Sequence, residues 1–340
     1  MANFRSNLAF TFRPLVLFGA VLIIVVLFGV GIWASLLISK ANIRAGLEKF
    51  GADINTKISE AKELKRPKPE VKVVALPPPR PVLNPGAKLL DATTFSARHI
   101  VVRDSLTGQM LYGKAAYDEW SMASVTKLLS ALVLLDVPIN FASTTVAAVD
   151  GAPDNDVAIG GTYYVKDLWN AGLISSSNRA VLSLADSTGL TRAEFAARMN
   201  EKARQLGMTG TKVVEPTGLD PRNHSTAADI AVLLAEALRK PEILNSVRLT
   251  EYDLATTGGA YRKKIKTTDW LLSGTIQNFG LELVGGKTGY IPESGYNFAA
   301  ETVSSTRHVV VVVLGAASID ARFTEARRAA EWAYQNFTWK

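Results

Sequence analysis

The sequence predicts an α+β fold: an antiparallel sheet flanked by helices with a helical lobe, preceded by an N-terminal transmembrane helix. Three observations predict it. Strand-like apolar runs lie near both ends of the region from residue 88 onward. Between them, apolar residues recur at helical spacing. Upstream, residues 14–39 carry no charged side chain. Strands at both ends with helices inserted between them fit a segregated sheet rather than alternating β–α units.

The chain divides in order. Residues 1–13 are a short N-terminal segment. Residues 14–39, PLVLFGAVLIIVVLFGVGIWASLLIS, are 26 residues without a charge. About 20 apolar residues span a hydrocarbon core of ~30 Å, so this stretch is expected to be an uncleaved membrane anchor. It is longer than a typical signal-peptide core. Arg5 and Arg13 precede it, and Lys40, Arg44, Lys49 and Lys57 follow, so the flanking positive charges do not favour an inside N-terminus.

Residues 40–66 are expected to form a helical stalk. Ile43, Leu47, Phe50, Ile54, Ile58, Ala61 and Leu64 recur at steps of three and four, one apolar stripe on a charged segment. The stripe could rest on another surface or pair with a second copy as a short coil. Residues 67–87 hold seven of the 14 prolines, and are expected to be an extended, semi-rigid linker rather than a packed element.

From residue 88 to 340 the pattern is that of one folded domain. His99–Asp104 and Gln109–Lys114 flank the turn SLTG and read as a hairpin. A helix is expected from Ala123 to Asp136. Helical periodicity returns at 165–171, 180–186, 191–206 and 226–239. Residues 283–287, 296–301 and 308–314 read as strands, and VVVVV is expected to be central and buried on both faces. A last amphipathic helix covers 320–336.

Composition narrows the chemistry. Apolar residues make up 48%, which excludes a wholly disordered chain. With no Cys, a disulfide framework, a thiol nucleophile and Cys-ligated metal are excluded. Of the three His, His99 and His308 sit in apolar strands and His224 lies in the loop PRNHST. All three are read as structural. No GxSxG elbow, GxxxxGK[ST] loop or HExxH helix is present. Serine chemistry here needs a base other than His, and Lys is the usual substitute.

Ser124-Val-Thr-Lys127 supplies one. Residues i and i+3 share a helix face, so Lys127 can reach the Ser124 hydroxyl. Near a helix start, Ser124 also meets free N–H groups that favour developing negative charge. Burial and a neighbouring cation can bring a Lys into range as a base. Ser-x-x-Lys alone is weak, since Ser59-Glu-Ala-Lys62 matches on the stalk. Specificity comes from the ordered set: Ser176-Ser-Asn178 follows 52 residues after Ser124, and Lys287-Thr-Gly289 a further 111 residues on. Ser176 and Asn178 can orient Lys127 and pass a proton to a leaving amine. Lys287 can depress the Lys127 pKa and attract a carboxylate. Gly289 on an edge strand can let substrate backbone pair closely.

With this set the chain resembles the serine-type D-alanyl-D-alanine carboxypeptidases, the low-molecular-mass penicillin-binding proteins, over about residues 97–337. HIVVRDSLTGQMLYGK, ASVTKLLSALVLLD, MNEKARQLGMTGTKVVEPTGLDPRNHSTAADIAVL and GGKTGYIPESGYNFAAE all carry the likeness. The resemblance implies a β-lactamase/transpeptidase-like fold. It implies Ser124 as the acylated nucleophile, Lys127 as general base and Ser176 in the proton relay. It places Asn178, Lys287, Thr288, Gly289 and Tyr290 in substrate binding, with Thr288 on the terminal carboxylate. The N–H groups of Ser124 and Tyr290 would form the oxyanion hole. No metal or organic cofactor is implied. The family often has Asp after the Ser-x-Asn triplet, whereas this chain has Arg179. If that side chain faced the cleft, rate or substrate choice would differ.

The expected function is therefore a membrane-anchored carboxypeptidase removing the terminal D-Ala from peptidoglycan stem peptides, with β-lactams as covalent inhibitors. Such a substrate puts the catalytic domain on the extracytoplasmic side of a single-pass anchor. A DD-endopeptidase on cross-linked peptidoglycan and a non-catalytic wall-binding or scaffold protein are the alternatives. A β-lactamase lacks support, because Pro241 stands where a Glu-x-x-Leu-Asn pattern ending at Asn245 needs its Glu. The net charge of +7 lies wholly in residues 1–87, which hold 12 basic and 5 acidic side chains; residues 88–340 hold 26 of each. The basic excess thus belongs beside anionic lipid and gives no reason to expect nucleic acid.

Overall fold

The computed structural model describes residues 40–64, 78–150, 154–278 and 280–340. The expected span at 14–39 and most of the linker lie outside the described residues. Among the described residues no helix is long and apolar enough to cross a membrane. Helix α1 (Lys40–Leu64) belongs to a unit separate from residues 76–340. On it Phe50, Ile54 and Ile58 are exposed, the middle of the stripe expected from the sequence.

The second unit is built on a five-stranded sheet. Its strands are β1 (His99–Asp104), β2 (Met110–Lys114), β3 (Glu282–Ile291), β4 (Gly295–Ser304) and β5 (Arg307–Ala316). The order is β3-β4-β5-β1-β2, antiparallel throughout. The turn at Ser105–Gly108 closes because Asp104 Oδ1 accepts from Thr107 N at 2.7 Å and Gly108 takes φ +74.

Among the described residues seven α-helices complete this unit: α2 (Thr126–Asp136), α3 (Val165–Ile174), α4 (Asn178–Asp186), α5 (Arg192–Gln205), α6 (Ala227–Leu238), α7 (Pro241–Val247) and α8 (Ile319–Asn336), of which α6, α7 and α8 pack on the sheet. Four of the seven, α4, α5, α6 and α8, start at a side-chain cap. Thr191 and Glu194 form a capping box on α5, Thr226 accepts from Asp229 N on α6, and Ser318 accepts from Ala321 N on α8.

Strand β5 explains why the sheet has two cores. Successive side chains point to opposite faces. Val309, Val311 and Val313 join Phe298, Phe323 and the alanines of α8 on one face. Val310, Val312 and Leu314 join α6 and the helical lobe on the other. An unbroken apolar run is what a strand covered on both faces requires, and the expected central position is observed. Fully buried Phe323 is the anchor on the α8 side, with ring centroids 4.8 Å from Phe298 and 6.0 Å from Trp270.

Three features differ from expectation. Pro81–Leu83, expected within the unpacked linker, form a short strand against Phe337–Trp339, and Arg80 and Lys340 exchange backbone hydrogen bonds at 2.8 and 3.0 Å. Its prolines leave enough N–H groups for a three-residue edge pairing. Helix α7 was unforeseen: Pro241 reads as a breaker but sits at its first turn, where no N–H is needed. The ribbon Glu251–Ala255/Arg262–Lys266 was also unforeseen, because RKKIK buries only Ile265 and so shows no apolar alternation. Phe323→Ala is expected to cost about 3–5 kcal/mol in a denaturant titration; a loss under about 1 kcal/mol is incompatible with this packing.

Candidate active site

The nucleophile candidate sits on a short 3-10 turn, Ala123–Val125, that runs directly into α2. Ala123 takes φ +45, a strained value for a residue with a side chain. Ser124 is partly exposed at the head of the helix, while Lys127, one turn on, is only 1% exposed. Lys127 Nζ lies 2.7 Å from each of three acceptors: Ser124 Oγ, Asn178 Oδ1 and the Thr217 carbonyl. An ammonium has three donors, so the set matches it fully. A neutral amine fits equally, with two N–H donated and the lone pair accepting from the Ser124 hydroxyl.

The loop bearing Thr217 is fastened to α2 on successive turns. Ser130 Oγ donates to the Pro216 carbonyl at 2.6 Å, and Lys127 to that of Thr217. Glu215 then ties the loop to itself. Its carboxylate accepts from Thr217 N and Oγ1, Gly218 N, Asp220 N and Asn223 Nδ2, at 2.5–3.4 Å. Asn223 is fully buried, and its carbonyl accepts from Met122 N at 3.0 Å, which joins the loop to the nucleophile turn.

Two glycines give that turn its room. Gly218 has φ +87, and a Cβ there would lie 1.8 Å from the Ala123 carbonyl oxygen. A Cβ on Gly289 of β3 would lie 2.8 Å from the Met122 carbonyl and 3.1 Å from Ser124 N. Gly289 was expected to make room for substrate backbone at the sheet edge. Its missing side chain also makes room for the nucleophile turn. The reason is strand period: residue 289 points to the same face as Lys287, inward.

Lys287, also 1% exposed, donates to Ser176 Oγ at 2.8 Å. Ser176 takes φ +64 just before α4, and Asn178 is the first residue of that helix. The expectation that Ser176 and Asn178 both orient Lys127 is thus divided: Asn178 meets Lys127, and Ser176 meets Lys287. Thr288 Oγ1 lies 2.5 Å from Thr268 Oγ1. Tyr290 is half exposed and stacks on Tyr296 at 4.5 Å. A cleft of about 410 Å³ opens beside Ser175–Asn178, with Asp154, Asn155 and Asp156 on its other wall.

Electrostatics favour a neutral base. Burial lowers the Lys127 pKa to about 7, against the opposing charges of Glu215 and Asp154. Burial comes first for Lys287 too, and the charges of Lys127 and Arg322 push it further down. The Lys127 charge thus acts on Lys287, while burial is what lowers Lys127 itself. The site can supply a hydroxyl nucleophile, an amine that can take its proton, and helix-start N–H groups for an oxyanion, the parts of an acyl transfer.

Arg179, the departure from the family pattern, does not face the cleft. It is buried, and its guanidinium donates to the carbonyls of Ala148, Asp154 and Val157 at 3.0–3.3 Å. Its own N–H and Ser177 Oγ both donate to Asp154 Oδ2, which fastens the cleft wall to the start of α4. The three His stand apart: His99 meets the Ala115 carbonyl, His224 Glu119 and His308 Glu301. His224 begins a short strand against Glu119–Ser121 rather than lying in a loop.

Glu215, Gly218, Asn223, Asp154 and Arg322 were not singled out from the sequence. Arg322 is buried at the start of α8, and its Nη1 lies 3.4 Å from the Gly289 carbonyl. Burial lowers its pKa to about 10 and raises that of nearby Asp269 to about 6. Only the run EPTGLD carried a signal, a Gly after a short polar residue in a loop.

Comparison with known proteins adds four findings. The model of the D-alanyl-D-alanine carboxypeptidase family matches residues 87–318. A D-alanyl-D-alanine endopeptidase of Pseudomonas aeruginosa is 30% identical over 265 residues, 76% of this chain and 82% of that protein. The D-alanyl-D-alanine carboxypeptidase DacD of Escherichia coli is 30% identical over 254 residues, 70% of this chain and 63% of that protein. Among solved structures, a D-alanyl-D-alanine carboxypeptidase from Mycobacterium tuberculosis superposes with a TM-score of 0.66 at 28% identity, over 75% of this chain and 96% of that one.

The glycine geometry gives a paired test. Gly218→Ala is expected to destabilise by about 2–5 kcal/mol, because left-handed strain and overlap add. Gly207, at φ +76 with open space around it, is the control, and its Ala variant is expected to lose about 1–2 kcal/mol. Equal losses in denaturant titrations would mean that contact with the nucleophile turn does not matter.

Proposed function

The chain belongs to the D-alanyl-D-alanine carboxypeptidase family of serine peptidases, and on that premise we propose that it cleaves a D-alanyl peptide bond of peptidoglycan through an acyl-enzyme on Ser124. The observation that carries this reading is the buried Lys127 amine, 2.7 Å from Ser124 Oγ with its pKa lowered to about 7. Ser124 Oγ attacks the D-Ala carbonyl as its proton passes to Lys127. The N–H groups of Ser124 and Tyr290 receive the oxyanion, a contribution of ~3 kcal/mol per donor. Ser176, held by Lys287, passes a proton to the leaving amine and regains one as Lys127 releases the proton it took from Ser124. Thr288, with Lys287 behind it, receives the carboxylate beside the scissile bond. Asn178 holds Lys127 and faces the substrate from the α4 side. Water then attacks the ester as Lys127 takes its proton, and Lys127 returns that proton to the departing Ser124 oxygen. β-Lactams acylate the same hydroxyl.

In the carboxypeptidase reading the leaving group is the terminal D-Ala. In the endopeptidase reading it is the amine of a cross-linked stem peptide; an endopeptidase and a carboxypeptidase each match this chain at 30% identity. Residues 14–39 would anchor the enzyme in the cell membrane, with residues 88–340 outside the cytoplasm beside the wall. The Pro-rich linker would hold the site tens of Å from the lipid at ~3 Å per residue.

Ser124→Ala is expected to abolish both amine release from muropeptides and covalent labelling by a fluorescent penicillin; survival of either removes Ser124 from the reaction. Products from linear and cross-linked muropeptides divide the two readings. Free D-Ala marks the first, and monomers released from dimers mark the second. A reporter fused after Lys340 is expected to be active only outside the cytoplasm, and activity confined to the cytoplasmic side would overturn the topology.

A further inference from the structure

Lys127 needs a fixed third acceptor, and the structure shows what fixes it. The Thr217 carbonyl sits 2.7 Å from Lys127 Nζ on a loop with no regular secondary structure until His224. Glu215 gathers that loop around one carboxylate, which accepts from three backbone N–H groups, one hydroxyl and one amide. The same loop carries Gly218, packed against the nucleophile turn. No hydrogen bond joins Glu215 to Lys127 directly; the contact runs through Thr217.

We infer that Glu215 is a positioning residue for acyl transfer: it holds the Thr217 carbonyl and the Gly218 backbone in register, and supplies a negative charge facing the Lys127 amine. This rests on the reading of Ser124 as nucleophile and Lys127 as base. Lys127 is faced by Glu215 from this loop, by Asp154 from the cleft wall and by Lys287 from β3, with Arg322 and Asp269 lying beyond Lys287. Glu215 favours the charged form of Lys127 and burial favours the neutral one. Removing the Glu215 charge therefore makes the neutral base available at lower pH.

The test is the second-order rate of Ser124 labelling by a fluorescent penicillin, followed against pH. In the wild-type protein the rate is expected to rise with pH and level off above about 7, where Lys127 is neutral. In Glu215→Gln the acid limb is expected to move to lower pH, while the plateau falls about tenfold or more as the loop loosens. Thr217→Val keeps the charge but loses the 2.6 Å hydroxyl contact to Glu215. It is expected to lower the plateau without moving the limb. A Glu215→Gln limb that coincides with wild type overturns the inference, whatever the plateau does. If Glu215→Gln does not fold, Thr217→Val decides: a full plateau overturns the inference, and a reduced plateau with an unmoved limb supports it. Failure of the wild-type protein to label at all would instead overturn the reading of Ser124.

Discussion

A buried amine with three acceptors organises this site. Lys127 cannot be left short of partners, because an unpaired charged or polar group away from water costs several kcal/mol. Its three acceptors come from three places: the turn before its own helix, the first residue of α4, and the loop after α5. Each of those segments must therefore be in register with α2 before the lysine is satisfied. The helical lobe and the 214–223 loop are thus fastened to Ser124 by the Lys127 amine. When the amine is neutral, the same three contacts remain, with only the Ser124 bond reversed in direction. The proton can move without the site being rebuilt.

Strain and clearance are concentrated around this amine. Ala123 and Ser176 occupy left-handed backbone that costs of order 1–3 kcal/mol per residue. Both flank the lysine contacts, one beside Ser124 and one beside Asn178. Gly218 and Gly289 approach the nucleophile turn from two sides, and neither tolerates a Cβ at its present distance. The turn is set by loop and sheet together, so Ser124 is held on a rigid frame although it is partly exposed. Arg179 and Asp154 do the same for the far wall, as a buried fastening between a loop and a helix start.

Much of this was legible in the sequence, and the reason is local periodicity. Lys127 lies one helical turn from Ser124, a spacing that fixes its direction. The valines of β5 declare a strand covered on both faces. The order of the three motifs identified the family, and the family model spans residues 87–318. What stayed hidden has no period. Glu215 bonds to atoms within eight residues of itself, a pattern that any polar loop can imitate. The inward direction of Gly289 depends on where a turn more than 160 residues earlier is placed. The partners of Ser176 and Asn178 depend on the handedness of one strained residue. The sequence left the direction of Arg179 open; burial and three carbonyls turn it away from the cleft.

The pairing of Pro81–Leu83 with Phe337–Trp339 has a mechanical consequence. The two ends of the catalytic unit meet in one ribbon, with Arg80 and Lys340 closing it. Tension entering the chain before residue 80 is borne first by these three pairs, and the six pairs between β1 and β5 come next along the chain. A short ribbon parts under less load than a long one. Under such a load the clasp would open first and free several residues of chain while the contacts around Ser124 stay in place.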